Sequence, residues 1–161
     1  MKAAVNASPL IYMTRLARLD LLEQYSEVVV PPEVIAEIER GLTAGHSEAL
    51  EVRRLVEGRR LRVVKARKVR TEWNLDPGET ATLALAAQEK VDEVVIDDRA
   101  AIAVAKYLGL RPVSVPFLLL RERRSGGLTQ EAFEAALRRL LSEGYYLSAE
   151  LHHRLIEAGR G

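Results

Sequence analysis

The chain of 161 residues contains no cysteine, which excludes disulfide bonds and thiolate metal sites. It has no apolar run of membrane-spanning length, and its N-terminus lacks the charged and then apolar pattern of a secretion signal. Aromatic residues make up only 5% of the chain, and the formal net charge of +1 indicates no partner by itself. These absences predict a cytoplasmic protein that does not enter a membrane.

Motifs of several enzyme classes are also missing. The sequence has no glycine-rich phosphate loop, no dinucleotide-binding fingerprint and no nucleophile elbow. The three histidines do not form a zinc pattern, because His152 and His153 are neighbours that point apart in a predicted helix, and His46 starts another helix. Nucleotide-cofactor, serine-hydrolase and zinc chemistry are therefore not indicated.

The sequence does contain an alternation of short strands and helices. Hydrophobic residues make up 48% and charged residues 29%, as in globular proteins. Short apolar runs predict strands at residues 3–5, 28–30, 61–66, 94–96 and 111–116. Helix starts are predicted at Ser8, which Pro9 follows, and at Asp76, which Pro77 follows. This order predicts an α/β fold in three layers, with a central parallel sheet of four to five strands flanked by helices.

The length suits a single domain that covers residues 1–161. Residues 1–126 are predicted to form the sheet and its helices, and residues 127–161 two C-terminal helices that pack on them. A dimer interface on these two helices is the alternative that the sequence leaves open.

Basic residues are concentrated in RRLRVVKARKVR, residues 59–70, which contains no acid. Such a strip could follow an RNA backbone, because bound lysine and arginine release condensed counterions. The candidate contacts are Arg59, Arg60, Arg62, Lys65, Arg67 and Lys68. A solvated edge strand is the equally weighted alternative. Only one aromatic residue, Trp73, lies near the strip, so the sequence gives base stacking little support. A second, smaller basic group is RERR at residues 121–124.

Acidic residues lie near the predicted strand ends, where parallel α/β sheets place their functional groups. Asp97 and Asp98 close a buried strand, and one of them is expected to cap the next helix. Glu37 could be an ordinary helix glutamate, and Glu79 could complete a capping box with Asp76. Taken together with Asn6, these side chains would supply the oxygen ligands that Mg²⁺ prefers.

Four segments, NASPLIYM, PPEVIAEI, DPGETATLALA and VVIDDRAAIAVAKYLGL, together resemble PIN-domain proteins over nearly the whole chain. The resemblance is to a subgroup with an Asn-x-Ser-Pro start and an Asp-Asp-Arg motif. It implies a core similar to that of 5′ nucleases, with a parallel sheet, a cluster of acids and Mg²⁺ or Mn²⁺. Many PIN domains are ribonuclease toxins neutralised by a small antitoxin, and many form homodimers.

This resemblance places the family's first site acid at Asn6, the second at Glu37, the third at Glu79 and the fourth at Asp97 or Asp98. At position 6 an amide oxygen is kept but the negative charge is lost, so metal affinity is expected to fall.

Ser8 and Arg99 are candidate contacts to RNA phosphate. Helix capping explains Ser8 equally well, and a surface position in the first turn of a helix is favoured for Arg99. The family's glycine-containing segment is replaced here by Pro112–Pro116, in which Ser114 could supply a hydroxyl.

The first functional hypothesis is therefore a Mg²⁺- or Mn²⁺-dependent ribonuclease of the PIN type that hydrolyses RNA with a metal-activated water. The chain could be the toxin of a toxin–antitoxin pair, with RNA as substrate, a small antitoxin as partner and a homodimeric assembly. The second hypothesis is a weak or inactive PIN-like module that binds RNA or protein. A phosphatase or another α/β metal enzyme is a third option, because several such folds share strand-end aspartates.

Overall fold

Five short strands form one sheet at the centre of the computed structural model, which describes residues 1–70 and 72–161, with the side chains of residues 42 and 43 left aside. All neighbouring strands are parallel, and their order is β3-β2-β1-β4-β5. The strands are β1 Lys2–Val5, β2 Glu27–Val30, β3 Arg62–Val63, β4 Glu93–Val95 and β5 Pro112–Val113. The predicted α/β fold with a parallel sheet of four to five strands is confirmed.

Helices cover both faces of this sheet. They are α1 Ala7–Arg15, α2 Pro32–Thr43, α3 Glu48–Glu57, α4 Pro77–Gln88, α5 Arg99–Tyr107, α6 Val115–Arg124, α7 Gln130–Ser142 and α8 Ala149–Arg160, with a 3₁₀ helix at Leu19–Gln24. Within the described residues, no helix combines the length and the apolarity needed to cross a membrane.

The residues of β1 contribute alternately to two hydrophobic cores, because successive side chains of a strand point to opposite faces of the sheet. Ala3 and Val5 belong to the core beneath α1, α6 and the C-terminal helices. Ala4 belongs to the core on the other face, beneath α4 and α5. All three are fully buried, so β1 runs through the centre of the molecule and its carboxyl end is held rigidly.

The start of α1 differs from the prediction. The helix begins at Ala7, its N-cap is Asn6, and Ser8 is an exposed residue of the first turn. Asn6 has the extended backbone of an N-cap residue, but its side chain makes no capping hydrogen bond. The prediction that Ser8 caps this helix was therefore wrong, because the helix already starts where β1 ends.

Three other elements differ in length or in kind. The strands expected over residues 61–66 and 111–116 are each reduced to two residues, β3 and β5, at the two edges of the sheet. Helix α6, which the sequence analysis did not predict, follows β5 immediately and buries Leu118, Leu119 and Leu120. The run of three leucines before four charged residues has no clear helical period, and α6 is instead held by packing against α1, α7 and α8 in their shared core.

The two C-terminal helices pack on α6 and on each other. Phe133, Leu137 and Leu140 of α7 are fully buried and belong to the same core as Val5. Gly159 of α8 allows the close approach, because a β-carbon there would lie 2.8 Å from the ring of Phe133. The division of the chain into one domain with a C-terminal helical pair stays a prediction.

Candidate active site

The carboxyl ends of β1 and β4 are adjacent, and polar side chains collect beside them. The Asn6 backbone N–H donates to the Val95 carbonyl oxygen at 3.0 Å, which extends the pairing of the two strands by one residue. The Asn6 residue is only 4% exposed. The Thr82 hydroxyl lies 3.4 Å from Asn6 Oδ1 but is closer to the Gly78 carbonyl oxygen, at 2.7 Å. Asn6 Oδ1 therefore receives at most a weak hydrogen bond from Thr82.

Oxygen atoms from three separate elements converge on Gly78, in the first turn of α4. A β-carbon at this glycine would lie 3.1 Å from Glu37 Oε2, 3.5 Å from Asp76 Oδ1 and 3.7 Å from Asn6 Oδ1. Glycine thus leaves a space between the end of β1, helix α2 and the start of α4. The structure brings together two of the predicted site residues, Asn6 and Glu37, at this point.

Electrostatics around Glu37 reflect this crowding. Burial raises its pKa, the carboxylate of Asp76 raises it further, and Arg40 opposes the shift. The raised pKa has the direction expected for a carboxyl group that shares a partly buried site with another acid.

Glu79 is a second point of convergence. Its backbone N–H donates to Asp76 Oδ1 at 2.7 Å, and the Asp76 N–H donates to Glu79 Oε1 at 3.4 Å, so the predicted capping box is present. The residue is only 8% exposed, and its Oε2 is buried without a hydrogen-bond partner among the described residues. Burial, followed by interactions with Asp76 and Asp98, raises the pKa of Glu79 to about 8.

A capping role alone does not explain this environment. A helix cap needs one carboxylate oxygen, whereas Glu79 also buries its second oxygen beside two other acids. A cation would relieve the cost of burying these groups together.

The two aspartates at the end of β4 take different roles. Asp98 is the exposed N-cap of α5 and accepts a hydrogen bond from the Ala101 N–H at 3.0 Å. Asp97 accepts hydrogen bonds from the Tyr145 hydroxyl at 2.6 Å and from the Val115 N–H at 3.2 Å. Burial raises the pKa of Asp97 to about 6, although both hydrogen bonds act to lower it. Asp98 also helps to raise the pKa of Glu79. Asp97, in contrast, is bound through Oδ1 to Tyr145 in the C-terminal part of the chain.

Ser8 and Arg99, the other candidate phosphate contacts, follow the site residues Asn6 and Asp98 in sequence. Ser8 is exposed in the first turn of α1, and Arg99 is exposed in the first turn of α5. The Arg99 guanidinium is 5.6 Å from the centre of the Tyr146 ring. Ser114, the N-cap of α6, makes no side-chain capping bond.

The Mg²⁺ or Mn²⁺ that the sequence resemblance implies would need oxygen ligands in this site. The donors available are carboxylate and amide oxygens, which are the ligands of Mg²⁺ and Mn²⁺. Two of the predicted ligands keep a buried carboxylate oxygen without a partner, Glu79 Oε2 and Asp97 Oδ2. Among the described residues, however, no three histidine, aspartate or glutamate side chains form a ready-made metal cluster. The donor chemistry fits a hard cation, while the side chains present are not arranged as a closed coordination shell.

The basic strip separates into two parts. Arg60 forms an ion pair with Glu23, and Arg62 forms ion pairs with Glu27 and Glu89, beside the edge strand β3. This part fits the solvated-edge alternative, because its charges are largely neutralised by carboxylates. Arg59 is exposed at the end of α3.

Further along the strip the basic side chains turn away from these acids. Lys65, Arg67 and Lys68 are exposed and form no ion pair with any described residue. The Gln88 side chain fixes this segment, since it accepts from the Arg67 N–H at 2.8 Å and donates to the Lys65 carbonyl oxygen at 3.3 Å. Among the described residues, Lys65, Arg67 and Lys68, together with Arg59, therefore present positive charge without an ion-pair partner, whereas Arg60, Arg62 and Arg70 are paired with glutamates.

In the second basic group, RERR at residues 121–124, the first residue, Arg121, has a structural role. Arg121 donates to both carboxylate oxygens of Glu93, at 2.8 and 2.9 Å, and to the Tyr25 hydroxyl at 2.9 Å. Glu93 is only 3% exposed at the start of β4, so Arg121 neutralises a buried charge. This side chain is not free to contact phosphate.

Acidic and amide side chains at the carboxyl ends of the central strands of a parallel sheet are a feature that PIN domains share with other α/β proteins. The chain belongs to the PIN-domain family, because the sequence model of the family DUF3368, a PIN domain, matches residues 2–159. The resemblance predicted from sequence is thus confirmed at the level of the family. The subgroup motif and the similarity to toxins stay predictions.

Comparison with solved structures shows similarity to a PilT N-terminus domain protein, SSO1118, from the hyperthermophilic archaeon Sulfolobus solfataricus P2. The identity is 15%, the TM-score is 0.49, and the match covers 92% of this chain and 98% of that chain. No curated protein matches the chain.

Sequence reasoning missed Asp76 as a member of the site. It was interpreted only as a helix cap, yet its Oδ1 lies beside Gly78 together with oxygens of Glu37 and Asn6. The signal was present in the segment DPGE, where a small residue between two acids leaves room for a third group. Tyr145 was also missed, because no local pattern links it to Asp97, 48 residues away in sequence.

Proposed function

We propose that this PIN-domain protein is a Mg²⁺- or Mn²⁺-dependent ribonuclease. The observation that supports the proposal most directly is the space at Gly78, on which oxygens of Asn6, Glu37 and Asp76 converge. PIN domains are commonly nucleases, and oxygen donors at the end of a central strand suit phosphodiester hydrolysis.

In this proposal Asn6, Glu37, Glu79 and Asp98 would hold the divalent ion, and Asp97 would join them through its unpartnered Oδ2. When bound, the ion would activate a water and stabilise charge on the phosphate. Water attacks the phosphorus and the bond to the 3′ oxygen breaks, which gives a 5′ phosphate and a 3′ hydroxyl.

Three features of the chain's own side chains bear on this reaction. Burial, with further contributions from Asp76 and Asp98, raises the pKa of Glu79 to about 8, so this carboxyl group would have to release a proton before it binds a cation. Tyr145 and the Val115 N–H fix one oxygen of Asp97 and leave the other free. The exposed basic residues Lys65, Arg67 and Lys68 would attract RNA toward an otherwise acidic cleft.

The test is cleavage of mixed RNA by the purified protein with Mg²⁺ or Mn²⁺, beside the variant Glu37→Gln. Glu39→Gln is the matched control, because Glu39 lies on the same helix but is ion-paired with Arg53. We expect the parent and the control to cleave and Glu37→Gln to lose both cleavage and Mn²⁺ binding measured by calorimetry. Equal residual cleavage by all three proteins would indicate a contaminant and reject the proposal.

A weak or inactive module that binds RNA or protein is the second candidate. Two observations favour it: the amide at position 6 brings no charge, and no three acids among the described residues form a ready metal cluster. The substitution Asn6→Asp separates the two candidates. Strong cleavage that appears only in Asn6→Asp would show that the natural site is a weakened one.

A toxin role, a small antitoxin partner and a homodimer are part of the proposal only through the family resemblance. Several large apolar side chains are exposed, among them Phe117, Tyr146 and Leu151, and these could serve a protein contact. Light scattering of the purified chain tests the homodimer. An open reading frame for a small protein that overlaps the start of the gene, and whose product blocks cleavage, would support the antitoxin.

A further inference from the structure

A cavity of about 600 Å³ lies outside the acid cluster, between the second half of α4, the end of α5 and the segment that follows β3. Ala84 and Ala87 of α4, Leu108 after α5 and the indole of Trp73 line it, together with Leu83, whose side chain is fully buried. The volume is in the range of ligand-binding pockets. The cavity thus offers a flat aromatic ring next to an apolar floor.

The rim of the cavity is positively charged. Arg67, Lys68 and Arg70 line it, and of these only Arg70 has an ion-pair partner among the described residues, Glu72 at 3.5 Å. Gln88 anchors the rim to α4 through the Arg67 N–H. An apolar, aromatic floor with a cationic rim matches a ligand that has flat rings and an anionic backbone.

The position of the cavity relates it to the acid cluster. Glu79, Leu83 and Ala87 are spaced four residues apart on α4, so they follow one side of the helix from the cluster to the cavity floor. Eight residues of helix rise about 12 Å. Trp73 is three residues before Asp76, the N-cap of α4. A single strand that passes the acid cluster would therefore reach the cavity within a few nucleotides.

We propose that this cavity is a binding subsite for single-stranded RNA, in which Trp73 stacks on a base and Arg67 and Lys68 contact the flanking phosphates. The inference deepens the proposed ribonuclease function and rests on it for the choice of RNA as ligand. Stacking on an aromatic side chain accepts any base, so the subsite would add affinity and direct the strand without selecting a sequence.

The structure thereby changes the assessment of the basic strip. From the sequence, one aromatic residue near seven basic side chains gave stacking little support. In the fold, Trp73 lines the same cavity as Arg67 and Lys68, which have no ion-pair partner among the described residues. Arg60 and Arg62, by contrast, are paired with Glu23 and Glu27 at the sheet edge.

Trp73 is the only tryptophan of the chain, so its intrinsic fluorescence reports on this cavity alone. The experiment uses the full-length Glu37→Gln variant without divalent ions, so that RNA remains intact. Titration with a single-stranded RNA of mixed sequence should quench the fluorescence to saturation. A duplex of the same sequence should quench much less, because its bases are already stacked on one another.

Binding measured by the anisotropy of labelled RNA gives the second readout. Trp73→Leu keeps an apolar side chain but cannot stack, and it should weaken binding about tenfold or more. Arg67→Gln with Lys68→Gln should reduce the slope of log affinity against log salt by about 0.7 for each residue. The matched control, Arg60→Gln with Arg62→Gln, should change that slope less, because both side chains are already paired with acids.

The proposal is overturned if RNA binds by anisotropy without quenching Trp73, or if Trp73→Leu with unchanged circular dichroism binds RNA as the parent does. Quenching by an acidic helical peptide but not by RNA would also overturn it and would assign the cavity to a protein partner. Quenching by RNA in a protein that never cleaves would reject the ribonuclease and leave the subsite standing.

Discussion

Replacing Gly78 with alanine should separate the stability of this protein from the function of its acid cluster. The glycine is the second residue of α4 and is not in the left-handed region, so alanine fits the backbone and gains up to about 1 kcal/mol of helix propensity. Against this gain, the new β-carbon would lie 3.1 Å from Glu37 Oε2, which must move by a few tenths of an ångström. The free energy of unfolding should therefore change by less than about 1 kcal/mol.

The function should respond differently. The added methyl group would occupy the space on which oxygens of Asn6, Glu37 and Asp76 converge. Displacing groups that orient metal ligands commonly costs about 10- to 100-fold in metal affinity or activity. We expect Gly78→Ala to lose Mn²⁺ affinity and RNA cleavage by at least about tenfold.

The assays are urea unfolding for stability, calorimetry for Mn²⁺ binding and gel analysis of RNA for cleavage. Gly41→Ala is the matched control, because Gly41 is also a helical glycine and, among the side chains that the structure describes, its β-carbon would meet only His46 Cβ, at an ordinary 3.7 Å. If Gly78→Ala binds Mn²⁺ and cleaves RNA as well as Gly41→Ala does, the convergence at Gly78 is not the metal site.

Three further predictions concern pH, a buried ion pair and a link to the C-terminal helices. Because the pKa of Glu79 is raised from 4.5 to about 8, the folded chain keeps a proton that the unfolded chain releases. Without a cation, the free energy of unfolding should therefore fall as pH rises through this window. The affinity for Mn²⁺ should rise toward pH 8, and an affinity that calorimetry finds independent of pH would contradict this prediction. Arg121→Ala should lower the free energy of unfolding, measured in urea, by about 3–5 kcal/mol, because it leaves the buried Glu93 without its ion-pair partner. Substitution of the exposed Arg124 by alanine should lower it far less. Tyr145→Phe removes the 2.6 Å hydrogen bond to Asp97, so NMR titration should find the pKa of that carboxyl group above its present value of about 6; an unchanged pKa would show that the bond contributes nothing.

The elements that the sequence predicted well are those whose signals are local. The capping box of Asp76 and Glu79, and a cap of α5 by one of the two aspartates after β4, were predicted because capping side chains bond backbone groups three residues away; the structure shows that the cap is Asp98. Val28, Val29 and Val30 can be assigned to a buried parallel strand because they form a continuous β-branched run.

The elements that it predicted poorly depend on neighbours that are distant in sequence. β3 is two residues long because it pairs only with β2, at the edge of the sheet. Helix α6 is stabilised by burial of its leucines and by the Arg121–Glu93 pair across 28 residues of chain. Neither the strand length nor this helix can be inferred from a local pattern.

The sequence by itself determined the class of fold, the family, and the list of oxygen-bearing residues that follow the strands. Tertiary structure decided how those residues are used. It placed Asp76 in the cluster beside Gly78, tied Asp97 to Tyr145, and divided the basic strip between acid partners and the cavity of Trp73. The physical reason is that periodicity and capping are interactions of near neighbours, whereas charge pairing, desolvation and cavity formation depend on which distant elements the fold brings into contact.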